Sequence, residues 1–208
     1  MGFPADLALA TKNPGKIMEI VRICSDWPVR WRLARSDDDP SEVSALWPDV
    51  EETEATYLDN ARLKARAVAE ALEIPAVSDD SGIEADALGG APGPLSARFA
   101  GPEATDRENL DLLIERIREV PAEARTARYR CVAVCSWPDG REVWAEATCE
   151  GRLVVDPRGS GGFGYDPIFL PEGHDRTMAE LTPDEKDSIS HRGKALRDLG
   201  EILSRSPA

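Results

Sequence analysis

A chain of 208 residues, 41% hydrophobic and 31% charged with a formal net charge of −14, has the apolar content for one sizeable core, and its length demands no second independent domain. So acidic a chain is a poor partner for nucleic acid or an anionic membrane surface, both of which are met with a basic face. No stretch approaches a membrane span, and the first residues lack the basic lead and apolar segment of a secretory signal, so a cytoplasmic protein is expected.

Leu7-Ala8-Leu9-Ala10 reads as a buried strand feeding Thr11-Lys12-Asn13-Pro14-Gly15-Lys16. Asn13 fits an N-cap and Pro14 the first helical position, after which Ile17, Ile20, Val21 and Cys24 recur at helical spacing. Such a terminus offers N–H groups to an anion, but its dipole contributes only about 0.3–1 kcal/mol. Lys12 and Lys16 would supply most of any attraction to a polyphosphate; read alone, the segment is more simply a capped helix with solvated lysines. A strand near Val29–Leu33 and a loop carrying Asp37–Asp39 follow. Glu51 and Glu52 then precede a helix whose apolar stripe is Leu58, Ala61, Ala65, Val68 and Leu72, with Asn60 and Lys64 one turn apart on its flank. The bland role of the two glutamates is to complement the helix dipole.

Residues 78–101 carry Asp79, Asp80, Glu84 and Asp86 among glycines and other turn-formers, a composition suited to a loop that holds a hard cation. The two aspartates follow the apolar run Ile74–Val77, so they are expected where a short buried strand emerges into solvent. Oxygen ligands of this kind suit Mg²⁺, which keeps waters for substrate phosphates to replace; an ordinary polar turn is the alternative.

Thr105-Asp106-Arg107-Glu108 has the capping-box form ahead of Leu110, Leu113, Ile114 and Ile117. Residues 128–137 and 141–149 around Pro138-Asp139-Gly140 read as an antiparallel hairpin, making the sheet mixed. There Cys131 and Cys135 would stand roughly 13 Å apart, too far to bridge; with Cys24 and Cys149 they are expected as free thiols of a reducing compartment. Gly159–Gly164 matches G-x-G-x-x-G, yet Pro167 stands where a helix should follow, which excludes a dinucleotide fold. What remains is a glycine-rich loop carrying Phe163 and Asp166, able to stack on a base and accept from its N–H edge, or simply a wide turn. Thr182-Pro183-Asp184-Glu185 is a further capping box that places Lys186 early in a short helix. Ser190-His191-Arg192-Gly193 then leads to a closing helix with Leu196, Leu199 and Leu203 on one face.

In this order the segments resemble the inosine triphosphate pyrophosphatase family, the dITP/XTP or non-standard purine NTP pyrophosphatases. The resemblance rests on Thr11–Lys16, the Glu51–Lys64 helix, residues 78–101, Gly161–Phe169, Thr177–Leu181, Lys186 and Ser190–Gly193. Each motif is weak alone, but the ordered set spans nearly the whole chain. The resemblance implies a single α/β domain over residues 1–208, an elongated mixed central sheet flanked by helices in two lobes with a cleft between them, and a homodimer. It also implies Mg²⁺-dependent cleavage of a purine nucleoside triphosphate to the monophosphate and pyrophosphate. By the same resemblance Asp80 is proton acceptor and Mg²⁺ ligand, and Glu52 the second ligand. Thr11, Lys12, Asn13, Pro14, Gly15, Lys16, Lys64 and Ser81 would meet phosphates or sugar, and Phe163, Gly164, Tyr165, Asp166, Lys186, His191 and Arg192 would hold the purine. Base and ligand roles are not separated for Asp80, and Asp79 could exchange parts with it. Lys12, Leu95 and Asp59 depart from the usual glycine or serine, aromatic and glutamate.

Overall fold

The computed structural model describes residues 2–34, 45–51 and 54–205; Asp37–Asp39 and Glu52 lie outside them. Strands β1 (Asp6–Leu9), β2 (Arg30–Arg32) and β3 (Ala76–Ala85) alternate with helices α1 (Pro14–Ile23), α2 (Tyr57–Leu72) and α3 (Asp106–Ile117), after which strands β4 (Thr126–Ser136), β5 (Glu142–Leu153) and β6 (Phe169–Pro171) precede helices α4 (Pro183–Ile189) and α5 (His191–Arg205). The strands form one sheet in the order β2-β1-β3-β4-β5-β6. β1 pairs in parallel with β2 and β3, whereas β5 and β6 are antiparallel, so the sheet is mixed. β4 and β5 form the expected hairpin, closed by the Trp137 N–H donating to the Arg141 carbonyl at 2.9 Å.

Local chemistry explains the helix starts. The Asn13 side chain accepts from the Lys16 N–H with Pro14 at the first helical position, and Thr105 and Thr182 each close a reciprocal capping box with the glutamate three residues on. α2 begins on Thr56, whose side chain accepts from the Asp59 N–H, and ends with Glu73 in the left-handed region at φ 55°.

The chain divides into two compact units. The first comprises Met1–Asp80, Val132–Glu146 and Arg192–Ala208. Its interior includes Ala8, Ala10, Trp47, Val68 and Ala69, with a second cluster of Tyr57, Ala61, Ala65, Val132 and Val134. Of the expected α2 stripe, Ala61, Ala65 and Val68 are buried, while Leu58 and Leu72 only pack against these clusters. Leu196, Leu199 and Leu203 on α5 are fully buried. The second unit comprises Ser81–Cys131 and Ala147–His191. It packs Leu110, Leu113, Ile114 and Ile117 of α3 with Tyr129, Tyr165, Ile168, Phe169 and Met178.

All four cysteines are free and buried, and burial pushes the Cys135 thiol up to about 12. Among the described residues no helix is long and apolar enough to cross a membrane.

One expectation is corrected. Asp79 and Asp80 do not sit where a short strand ends: β3 continues through them to Ala85, and both are buried. Strand-averse composition is overridden because each carboxylate finds cationic or amide partners inside the fold. His191 and Arg192 open α5 and are 4% and 3% exposed.

β5 needs a glycine where it approaches β6. A Cβ on Gly151 would lie 2.4 Å from the Leu170 carbonyl oxygen and 2.7 Å from the Phe169 ring. Gly151→Ala is therefore expected to cost about 1–3 kcal/mol of overpacking. Urea denaturation measures it, and an unchanged midpoint would show that β6 shifts freely.

Candidate functional site

The first unit holds a cluster of buried charges contributed by α1, β3 and α5. The Asp79 side chain is fully buried; its Oδ2 accepts from Arg192 Nε at 3.1 Å and Nη2 at 3.0 Å, and lies 3.2 Å from Lys16 Nζ. Arg192 Nη1 donates to Glu19, itself 7% exposed. Burial alone would raise the Asp79 pKa, but Lys16 foremost, then Arg192 and Lys64, hold it well below the usual carboxylate range.

Side chains of successive strand residues point to opposite faces, and Asp80 accordingly meets different partners. It accepts from Asn60 Nδ2 at 3.3 Å and lies 3.5 Å from Lys64 Nζ, both on α2. Asn60 in turn accepts from the Glu54 N–H at 3.0 Å and donates to the Glu54 carbonyl at 3.2 Å. It thus ties the segment entering α2 to the carboxylate. The expected flank pair of Asn60 and Lys64 is brought together on Asp80.

At the start of α1, Thr11 Oγ1 accepts from the Asn13 N–H, and Lys12 pairs with exposed Asp49. Glu51 is exposed. Among the described residues no three His, Cys, Asp or Glu side chains converge as a ready-made metal cage.

In the second unit the glycine-rich loop is locked around Asp166, which is 3% exposed. Its Oδ2 accepts from the Phe163 N–H at 3.0 Å and from Lys186 Nζ at 2.6 Å, and its Oδ1 from the Tyr129 hydroxyl at 3.2 Å. Lys186 Nζ also lies 5.1 Å from the Phe163 ring centroid, within cation–π range. Gly162 has φ +70°, and a Cβ there would stand 2.0 Å from Asp166 Oδ2, so this position requires glycine. Tyr165 is a brace: its hydroxyl donates to the Ser96 carbonyl at 2.7 Å, and burial raises its pKa. The Gly164 N–H donates to Asp106. His191 stacks on Tyr129 with centroids 4.5 Å apart and planes at 5°.

Glu19 and Tyr129 are the participants that the sequence reading did not single out. Glu19 falls three residues after Lys16 and beside Ile20, on the buried face of α1. Tyr129 alternates with Arg128 and Arg130 at a core position of β4, where a buried hydroxyl needs a partner.

The Asp79 cluster makes stability depend on acid. A depressed folded-state pKa gives stabilisation that is complete above the unfolded value of about 3.9 and is lost as pH falls toward the folded one. Asp79→Asn leaves buried cations short of an anion and is expected to cost about 3–5 kcal/mol at pH 7. The gap from the parent protein should be narrower at pH 3 in urea denaturation; an equal gap at both pH values would show that charge is not its source.

Comparison with known proteins adds the following. The profile of the Ham1 family matches residues 7–202. A dITP/XTP pyrophosphatase of Streptomyces coelicolor is 50% identical over 197 residues, covering 95% of this chain and 96% of the relative. A dITP/XTP pyrophosphatase of Halalkalibacterium halodurans is 43% identical over 94% of this chain and 97% of its own length. Among solved structures, a HAM1 protein from Coxiella burnetii superposes with a TM-score of 0.84 at 35% identity, covering 98% of this chain and 100% of that one.

Proposed function

The chain belongs to the Ham1 family, and on that footing we propose that it hydrolyses non-standard purine nucleoside triphosphates, dITP, XTP and ITP, to the monophosphate and pyrophosphate, cleansing the nucleotide pool. The observation that carries this reading is the near-full-length likeness to proteins named dITP/XTP pyrophosphatase. The site's chemistry agrees with it.

In the proposed reaction water attacks the α-phosphorus, the bond to the α–β bridging oxygen breaks, and pyrophosphate leaves. Asp80 rather than Asp79 is the working carboxylate, because Asp79 is spent on Arg192 and Lys16 whereas the contacts of Asp80 to Asn60 and Lys64 are long. A single carboxylate of this kind suits Mg²⁺, which binds through one or two carboxylates plus substrate phosphates and waters; Glu52 would be the second. Mg²⁺ held there would neutralise the leaving group and acidify the attacking water. Asp80 would accept the water proton, and Lys64 and Lys16, with Thr11–Gly15 and Ser81, would hold phosphate or sugar oxygens.

For the base, Phe163 offers a stacking face, and Lys186, His191 and Arg192 offer donors to a 6-oxo acceptor, which hypoxanthine and xanthine carry and adenine lacks. Donors facing the adenine amino group would reject ATP by roughly 10⁴ or more. In this structure Asp166 is engaged by three internal donors, so its part is to shape the loop. A homodimer acting in the cytoplasm completes the proposal.

The test is pyrophosphate release from ITP, dITP, XTP, GTP, ATP and dTTP with Mg²⁺, each repeated with excess chelator. Release from ITP, dITP and XTP that the chelator abolishes is expected; tight binding without release would identify a sensor, and turnover of dTTP would overturn the purine assignment. Asp80→Asn should lower kcat by about 10²-fold or more, and wild-type turnover by that variant would sink the mechanism.

A further inference from the structure

We propose that Tyr129 is a positioning residue for purine recognition, setting the orientation of His191 with its ring and of Asp166 with its hydroxyl; this rests on the reading of those residues as part of the base pocket. Tyr129 is 7% exposed on β4, with the edge of Phe169 packed against it at 4.7 Å and 62°. Its face carries the His191 imidazole at 4.5 Å and 5°. Both imidazole nitrogens lie in the ring plane, so a parallel stack fixes the plane in which they point. The phenol oxygen then reaches Asp166 Oδ1 at 3.2 Å, on the carboxylate whose other oxygen takes Lys186 Nζ and the Phe163 N–H.

One rigid side chain thereby couples two parts of the base pocket. A tilt of the phenol ring would turn His191 out of plane and slacken the clamp on the Phe163 loop together. Neither phenylalanine nor an aliphatic side chain does both jobs: phenylalanine keeps the stack without the hydroxyl, and leucine keeps neither. In this reading His191 faces the base and Asp166 shapes the loop that carries Phe163, so loss of Tyr129 should weaken binding of the base and spare the phosphates.

The experiment compares wild type, Tyr129→Phe and Tyr129→Leu. IMP affinity is read by calorimetry, the inhibition constant of pyrophosphate by assay, and kcat and KM with dITP. Loss of one hydrogen bond in the phenylalanine variant should weaken IMP roughly 2- to 5-fold, and loss of the stack as well should weaken it about 10-fold or more in the leucine variant. KM for dITP should rise in parallel, while kcat and the pyrophosphate constant stay within about twofold of wild type. Equal weakening of IMP and pyrophosphate would indicate general loosening and overturn the proposal, as would an unchanged IMP affinity in the leucine variant. If the leucine variant does not fold, the phenylalanine variant decides, and wild-type IMP affinity there overturns the proposal. A wild-type protein that binds IMP but leaves dITP intact would sink the hydrolytic reading and leave this inference standing. A protein that turns over dITP while its leucine variant binds IMP normally would do the reverse.

Discussion

Asp79 is a carboxylate with no exposed surface, and burying such a charge is affordable only because Lys16 and Arg192 come with it. The requirement reaches into three elements at once: α1 must bring Lys16 and Glu19, β3 must bring Asp79, and α5 must open on Arg192. Asp79, Glu19 and Arg192 are buried and Lys16 is partly so; two anions and two cations make the cluster neutral as a set and costly when any member is missing. That cost supplies a reason for the fold of the first unit to be well defined. Mispacking α1 or α5 against the strand would strand a charge, a larger penalty than the loss of a few apolar contacts.

The neighbouring Asp80 shows how a strand divides labour that a loop would blur. Alternation sends one carboxylate of the pair to the structural cations and the next to Asn60 and Lys64. Those contacts are at the long end of hydrogen bonding, which supports the part proposed for Asp80. Lys16 and Lys64 are each held by a carboxylate, so in the proposed phosphate-binding role less side-chain freedom would remain to be lost on binding. Rigid elements hold a site more closely than loops do, and the central aspartates sit inside a ten-residue strand.

In the second unit a single carboxylate again does the organising. Asp166 gathers a backbone N–H, an ammonium and a phenol, and the bare Cα of Gly162 lets the loop close onto it. A glycine-rich segment of this length loses much conformational entropy on ordering, and charge-assisted bonds are the strong ones available to offset that. The ring of Phe163, lying near Lys186, is thereby presented on a segment that has little freedom left.

What the sequence disclosed follows from the range of each interaction. Asn13, Thr105 and Thr182 were legible as caps because their partners stand three residues away, and the period of α5 showed its buried leucines in advance. Residues 78–101 read as a loop that holds a cation, yet their first part belongs to β3; Asp, Ser and Gly disfavour strands unless something distant satisfies them. The satisfying groups are distant indeed: Arg192 lies 113 residues from Asp79 and 173 from Glu19. Resemblance could mark Arg192 as functional, yet its commitment to two buried acids appears only in the folded chain. Tyr129 is the sharper case, because nothing local distinguishes it from any inward strand tyrosine, and its role exists only through Asp166 and His191. Local rules therefore reveal where elements begin, ordered motifs point to the proposed site residues, and the pairing of buried charge gives two adjacent aspartates different partners.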